Sequence, residues 1–120
     1  MGSSNAFKVI YSKTRERDIW LDFQAGDKDA FNRLYDLYAD TLMNYGYKFT
    51  NDALLIEDCV QELFIDIWEH RNNIAAPDSV KAYLLKSLRN KFFQKFQKQQ
   101  KQNSLLTYLM EHKESFSFSF

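Results

Sequence analysis

The sequence predicts an all-α protein, a compact bundle of about four helices, and three observations lead to this fold class. The chain has 120 residues, about the length of one domain, and 45% of them are hydrophobic. It contains only three glycines and one proline, which is too few for the repeated turns of a β fold. Apolar residues recur at steps of three and four along several segments, which is the period of a helix face.

The first two helices are predicted on either side of a glycine. The first covers roughly residues 13–23, and Gly26 lies where a glycine commonly ends a helix. Asp27 can cap the second helix, which is predicted to run to about Phe49. Its apolar positions at helical spacing are Phe31, Leu34, Tyr35, Tyr38, Leu42 and Tyr45.

The third helix is predicted to begin after a cap at Asn51 or Asp52 and to end near Arg71. Placing its residues at 100° intervals puts a core stripe on one side. Cys59 flanks this stripe and is therefore interpreted as a small buried hydrophobic residue, not as a reactive thiol. The stripe and its flanks are Ile56, Val60, Leu63 and Ile67, with Cys59 and Phe64.

The opposite side of the third helix carries polar and acidic residues around one isoleucine, Ile65. A solvated helix face with one stray apolar residue is one interpretation, because single surface apolar residues are common. The other is a docking surface in which Ile65 is the apolar anchor and the carboxylates attract a basic partner. The polar residues of this side are Asp58, Gln61, Glu62 and Glu69.

Residues 72–79 form the one clear loop, because Pro77 breaks a helix and Asp78 or Ser79 can cap the next one. The fourth helix is predicted over residues 80–101, and residues 104–111 are expected to add a helical turn or two. Residues 115–120 alternate Ser and Phe, which is the period of a strand without an evident pairing partner.

The fourth helix has an apolar side and a basic, aromatic stripe. Its apolar side comprises Leu84, Leu85, Leu88, Phe92 and Phe96, and the stripe comprises Tyr83, Lys86, Asn90, Phe93, Gln97 and Lys101. Cations bind phosphates, rings stack on unpaired bases, and Asn can read a base edge. The stripe therefore favours single-stranded or melting DNA, although a soluble face, a membrane surface or a peptide groove remain alternatives.

Charge is segregated along the chain although the formal net charge is zero. Residues 52–69 carry only acidic charges and residues 81–101 only basic ones, which suggests two partners of opposite charge. One cysteine and two distant histidines provide no disulfide and no metal cluster, so no cofactor is expected. No apolar run approaches the about 20 residues of a membrane span. The expected compartment is the reducing cytoplasm, and no constellation predicts an enzyme.

Three motifs resemble the extracytoplasmic-function (ECF) group of bacterial sigma factors, in family order. Residues 26–35 (GDKDAFNRLY) resemble the opening of region 2, and residues 56–68 (IEDCVQELFIDIW) resemble its polymerase-binding helix. Residues 80–90 (VKAYLLKSLRN) resemble the start of the promoter-melting helix. The resemblance covers roughly residues 20–100, and the second motif is the most specific.

The resemblance implies a partner for each face. Asp58, Gln61 and Glu62 would contact the coiled coil of the largest subunit of core RNA polymerase, and the helix projection adds Ile65 and Glu69. The loop would capture a base flipped out of the non-template strand at the promoter minus-ten element. The basic helix would hold the promoter DNA around that base. The residues expected to bind DNA are Asn72, Asn73, Ser79, Tyr83, Lys86, Arg89, Asn90, Phe93, Lys98 and Lys101.

Departures from the family pattern bear on the domain organisation. Tyr83 stands where the family usually has tryptophan, and the end of the basic helix is lysine-rich where the family has arginine. We expect residues 1–12 to be a flexible N-terminus or a cloning remnant and residues 13–102 to form the region 2 domain. Residues 103–120 would begin an interdomain linker or a terminal arm. The family's second domain, which reads the minus-thirty-five element, is absent, so a fragment is expected.

The resemblance also implies control by an anti-sigma factor. Two other functions are compatible with the residues. One is a helical protein-interaction adaptor that does not bind DNA, and the other is a peripheral membrane binder that uses the Phe-rich basic helix and tail. Salt discriminates among them, because DNA binding weakens steeply as salt rises.

Overall fold

The computed structural model describes residues 15–112, which form four α-helices, one short 3-10 helix and no strand. This confirms the predicted all-α bundle. Helix α1 covers residues 15–24, and the later elements are α2 (Lys28–Gly46), α3 (Ala53–Glu69), the 3-10 turn (Arg71–Asn73) and α4 (Val80–Glu111). None of the helices in this part of the chain has the length and hydrophobicity needed to cross a bilayer.

The α1–α2 turn forms where the sequence predicts it. Gly26 has a φ of 97°, a left-handed conformation that is strained for any residue with a side chain. Asp27 then caps α2, because its carboxylate accepts hydrogen bonds from the backbone N–H groups of Asp29 and Ala30. The predicted glycine stop and aspartate cap are both confirmed.

Helix α2 ends at Gly46, three residues before the predicted end at Phe49. Lys48 and Phe49 donate backbone hydrogen bonds to residues three positions earlier, which tightens the chain into a turn. The turn brings the Phe49 ring into a stacked contact with Phe92, with a centroid distance of 5.2 Å. Packing against α4 therefore overrides the continuing apolar period.

The caps of α3 and α4 are also resolved. Asp52, not Asn51, caps α3, which ends at Glu69. Ser79, not Asp78, caps α4 by accepting a hydrogen bond from the Ala82 N–H at 3.2 Å. Helix α4 then continues to Glu111, well past the predicted end at residue 101, because no glycine or proline interrupts residues 80–111. The alternating segment 115–120 and residues 1–12 lie outside the described residues.

One core joins all four helices. The predicted stripe on α3 is buried, and it packs with buried side chains from α1, α2 and α4. On α4, Leu85 and Phe96 are only half-buried. The largest fully buried side chains are Trp20 and Phe23 of α1, Leu34 and Leu42 of α2, Ile56 of α3, and Leu84, Leu88 and Phe92 of α4.

Cys59 provides a test of this core. The residue is fully buried on α3, and burial raises the pKa of its thiol. Because the thiolate is the reactive species, a disulfide reagent such as DTNB is expected to label Cys59 slowly in the native protein and rapidly in denaturant. Equal labelling rates in the two conditions would contradict the buried position.

Candidate docking face and nucleic-acid interface

The acidic face of α3 is defined here by Asp58, Gln61, Glu62, Ile65 and Glu69. All five side chains reach solvent, with Glu62 at intermediate exposure. Ile65 is 54% exposed, although a branched aliphatic side chain is normally buried. The structure thus brings together the five residues predicted for polymerase docking on one surface around an apolar centre.

One edge of this face is paired with α4, which the sequence projection did not reveal. Lys95 Nζ donates a hydrogen bond to Glu62 Oε1 at 2.9 Å, and this bond raises the pKa of Lys95. Lys91 pairs with Asp66 and lies 4.0 Å from Glu62 Oε2. All four side chains are partly exposed, so each pair contributes at most about 1 kcal/mol to stability.

An apolar groove borders the other edge of the acidic face. It has a volume of about 310 Å³, and it lies between the start of α2 and the end of α3. Phe31 and Trp68 are among its lining residues, and their rings contact each other at a centroid distance of 5.2 Å. The sequence predicts Phe31 only as part of the apolar period of α2, and the packing of α2 on α3 identifies it as a groove residue. The lining residues are Lys28, Phe31, Asn32, Ile65, Trp68 and Glu69.

The loop after α3 presents two of its predicted DNA-binding residues to solvent. Asn72 and Asn73 are exposed within the 3-10 turn. The exposed Ser79 has a structural role as well, because its hydroxyl oxygen caps α4. A cavity of about 280 Å³ beside this loop is lined by Ile74, Tyr83 and Asn90 among others. Tyr83 and Asn90, which were predicted to bind DNA, therefore line a single cavity.

The basic stripe of α4 lies largely on the surface. Tyr83 is the exception, because it is half-buried and packs its edge against Trp20 at a centroid distance of 5.7 Å. Phe93 is 43% exposed, and the Arg89 guanidinium lies 5.2 Å from its ring centroid. The Arg89 cation and the Phe93 ring therefore lie next to each other on the surface of α4. The exposed members of the predicted DNA-binding set on α4 are Lys86, Arg89, Asn90, Phe93, Lys98 and Lys101.

The described residues contain no candidate metal site. No group of three or more His, Cys, Asp or Glu side chains is placed to hold a metal ion in that part of the chain. The carboxylates of α3 spread along one helix face, which suits a flat surface better than a metal cage.

Comparison with known proteins points to one family. The family model for sigma-70 region 2 matches residues 34–102, which is more than half of the chain. The ECF RNA polymerase sigma factor BldN of Streptomyces coelicolor is 45% identical over 42 residues, which covers 35% of this chain and 16% of that protein. The aligned stretch is thus a small part of the relative's length. No solved structure matches. The chain belongs to the sigma-70 region 2 family.

Proposed function

We propose that this chain binds core RNA polymerase through α3 and engages the non-template strand of the promoter minus-ten element through the loop and α4. The proposed role is in transcription initiation and is not enzymatic. The observation that carries the proposal is an exposed Ile65 at the centre of an acidic face, next to an apolar groove. Family membership supports the same role.

The docking partner we propose is the coiled coil of the polymerase's largest subunit. Ile65 would be the apolar anchor, and Phe31 and Trp68 would form the wall of the groove beside it. Asp58, Gln61, Glu62 and Glu69 would surround this anchor. Their carboxylates would accelerate the encounter with a cationic surface and fix its orientation.

The DNA partner we propose is an unpaired strand. Flipping a base out of a duplex costs a few kcal/mol, and the cavity lined by Tyr83 and Asn90 would receive such a base. Asn72, Asn73 and Ser79 would contact the strand from the loop. Phosphates would bind Lys86, Arg89, Lys98 and Lys101, whereas Phe93 would stack on a second base.

The wider organisation follows the same proposal. Residues 13–102 would be the region 2 domain, residues 103–120 would begin a linker or terminal arm, and a second domain would read the minus-thirty-five element. Because α4 runs unbroken to Glu111, the linker would start as a continuation of this helix. An anti-sigma factor would regulate the protein in the cytoplasm.

Ile65→Ala tests the docking half of the proposal. We expect the wild-type chain to bind bacterial core RNA polymerase and Ile65→Ala to bind about tenfold more weakly. This loss corresponds to about 1.4 kcal/mol, as expected for an energetically important residue at the centre of an interface. Fluorescence anisotropy of the labelled chain measures the affinity, and circular dichroism verifies that helicity is unchanged.

Leu37→Ala is the matched control for this variant. Leu37 is an aliphatic residue about as exposed as Ile65, at 55%, but it lies on α2 beside α1, away from the acidic face of α3. Its truncation is expected to leave polymerase binding unchanged. If the wild-type chain is folded but does not bind the polymerase, the proposed function is wrong. The interpretation as a protein-interaction adaptor is then favoured.

A further inference from the structure

The end of α1 contacts the loop that follows α3. The side-chain amide of Gln24, at the end of α1, donates hydrogen bonds to the backbone oxygens of Arg71 at 3.1 Å and Ile74 at 2.5 Å. Both bonds are partly buried, and they join segments 47 and 50 residues apart in sequence. Gln24 also lies outside residues 34–102, which match the family model.

The geometry suits glutamine in particular. A primary amide nitrogen has two N–H donors, and Gln24 directs one to each of two carbonyls that flank Asn72 and Asn73. Glutamate has the same shape but no donor when ionised, and methionine has a similar length but no donor at all. The bond pair therefore depends on the chemistry of this side chain, not on its bulk.

The other side of the loop's start is held by α3. The Arg71 guanidinium lies 4.3 Å from the Trp68 ring centroid, and its Nη1 donates to the Trp68 backbone oxygen at 2.8 Å. Within the described part of the chain, residues 75–78 make no hydrogen bond, and the next one is the Ser79 cap of α4. Without Gln24, the segment from Arg71 to Ile74 would lose its hydrogen bonds to α1. Residues 76–79 would still lie beside α1, where they line a cavity together with Trp20.

We propose that Gln24 is a positioning residue for base recognition, which fixes the loop so that Asn72 and Asn73 face the DNA in one arrangement. This inference rests on the proposed function. A loop that is held in its binding conformation avoids the loss of affinity that accompanies a partly populated competent state. Gln24 thereby makes α1 part of the DNA-reading apparatus, although it would not touch the DNA.

Gln24→Met tests the inference, with Leu21→Met as the control that introduces the same residue at an exposed position of α1. An arginine-specific protease reports loop opening through cleavage after Arg71. We expect cleavage of Gln24→Met to be about tenfold faster, because each lost hydrogen bond shifts an opening equilibrium by roughly twofold to tenfold. Gln24→Lys, which restores N–H donors, is expected to return cleavage towards the wild-type rate.

A DNA-selection experiment distinguishes a positioning role of Gln24 from a contribution to general stability. Each variant, bound to core polymerase, selects single-stranded oligodeoxynucleotides from a random pool. Because phosphate contacts position a strand and base contacts specify it, Gln24→Met is expected to lose sequence preference while polymerase affinity and the salt dependence of DNA binding stay unchanged. Gln24→Lys is expected to retain the preference.

Three results would overturn the inference. Unchanged cleavage in Gln24→Met would show that the bonds do not hold the loop. Faster cleavage with an intact sequence preference would show that holding the loop does not position the base contacts. If the wild-type chain on polymerase selects no sequence at all, the DNA half of the proposed function fails first and the inference falls with it.

Discussion

Phe92→Ala is expected to lower the free energy of unfolding by about 3–5 kcal/mol, the usual cost of deleting a buried aromatic ring. Phe92 is fully buried on α4. Its ring stacks on Phe49 at 5.2 Å and on Phe96 at 6.0 Å, measured between centroids. The ring thus joins the α2–α3 turn to α4, and its loss would leave a cavity there. Urea denaturation followed by circular dichroism measures the change.

The adjacent residue gives a matched comparison for function. Phe93 is 43% exposed and keeps one T-shaped contact with Phe49, at a centroid distance of 6.2 Å. Phe93→Ala is therefore expected to cost less stability than Phe92→Ala, about 1 kcal/mol. If Phe93 stacks on a base, the same variant loses about 1–3 kcal/mol of affinity for single-stranded DNA. Equal destabilisation by the two variants, or unchanged DNA affinity in Phe93→Ala, would contradict the assigned orientations.

Gly46→Ala is expected to destabilise the fold by about 2 kcal/mol although alanine favours a helix over glycine by about 1 kcal/mol. Gly46 is buried at the end of α2. A Cβ atom there would lie 3.0 Å from Ile56 Cγ1 and closer still to Ile56 Cγ2. The helices would have to separate or Ile56 would have to leave its position. Urea denaturation again measures the free energy of unfolding.

A double-mutant cycle isolates the cause of that loss. Ile56→Ala removes the two Cγ atoms that the methyl group introduced by Gly46→Ala would meet, so Gly46→Ala should cost much less in the Ile56→Ala background than in the wild type. Asn44→Ala, at an exposed position two residues earlier in α2, controls for helix propensity. Additive costs of the two substitutions would show that close packing of α2 on α3 does not require the glycine.

Much of the fold could be predicted because its signals are local. Asp27, Asp52 and Ser79 cap helices through bonds to residues two or three positions away, and short polar side chains before an apolar period predict such caps. The predicted ends of α2 and α4 were wrong. The end of α2 depends on tertiary packing, because Phe49 packs on Phe92 of α4. Helix α4 continues because no glycine or proline interrupts residues 80–111.

The candidate site was predictable as two faces but not as a connected surface. Helical periodicity places Ile65 opposite the core stripe of α3 and Phe93 on the exposed stripe of α4, and both side chains are exposed as expected. It does not reveal that Glu62 pairs with Lys95 across the α3–α4 contact. Nor does it place Phe31 in the groove beside Ile65.

The sequence by itself determined the all-α class, the Asp27 cap, the buried stripes and the segregation of charge, because these depend on composition, on the period of a helix or on neighbours within one turn. For the caps of α3 and α4 it left two candidates each, and the structure decided between them. The tertiary structure alone decided which faces meet. The Lys95–Glu62 bond joins residues 33 apart, and the bonds from Gln24 join residues 47 and 50 apart. Such contacts arise from how helices pack and where a loop crosses a turn, and the period of a single helix carries no information about either.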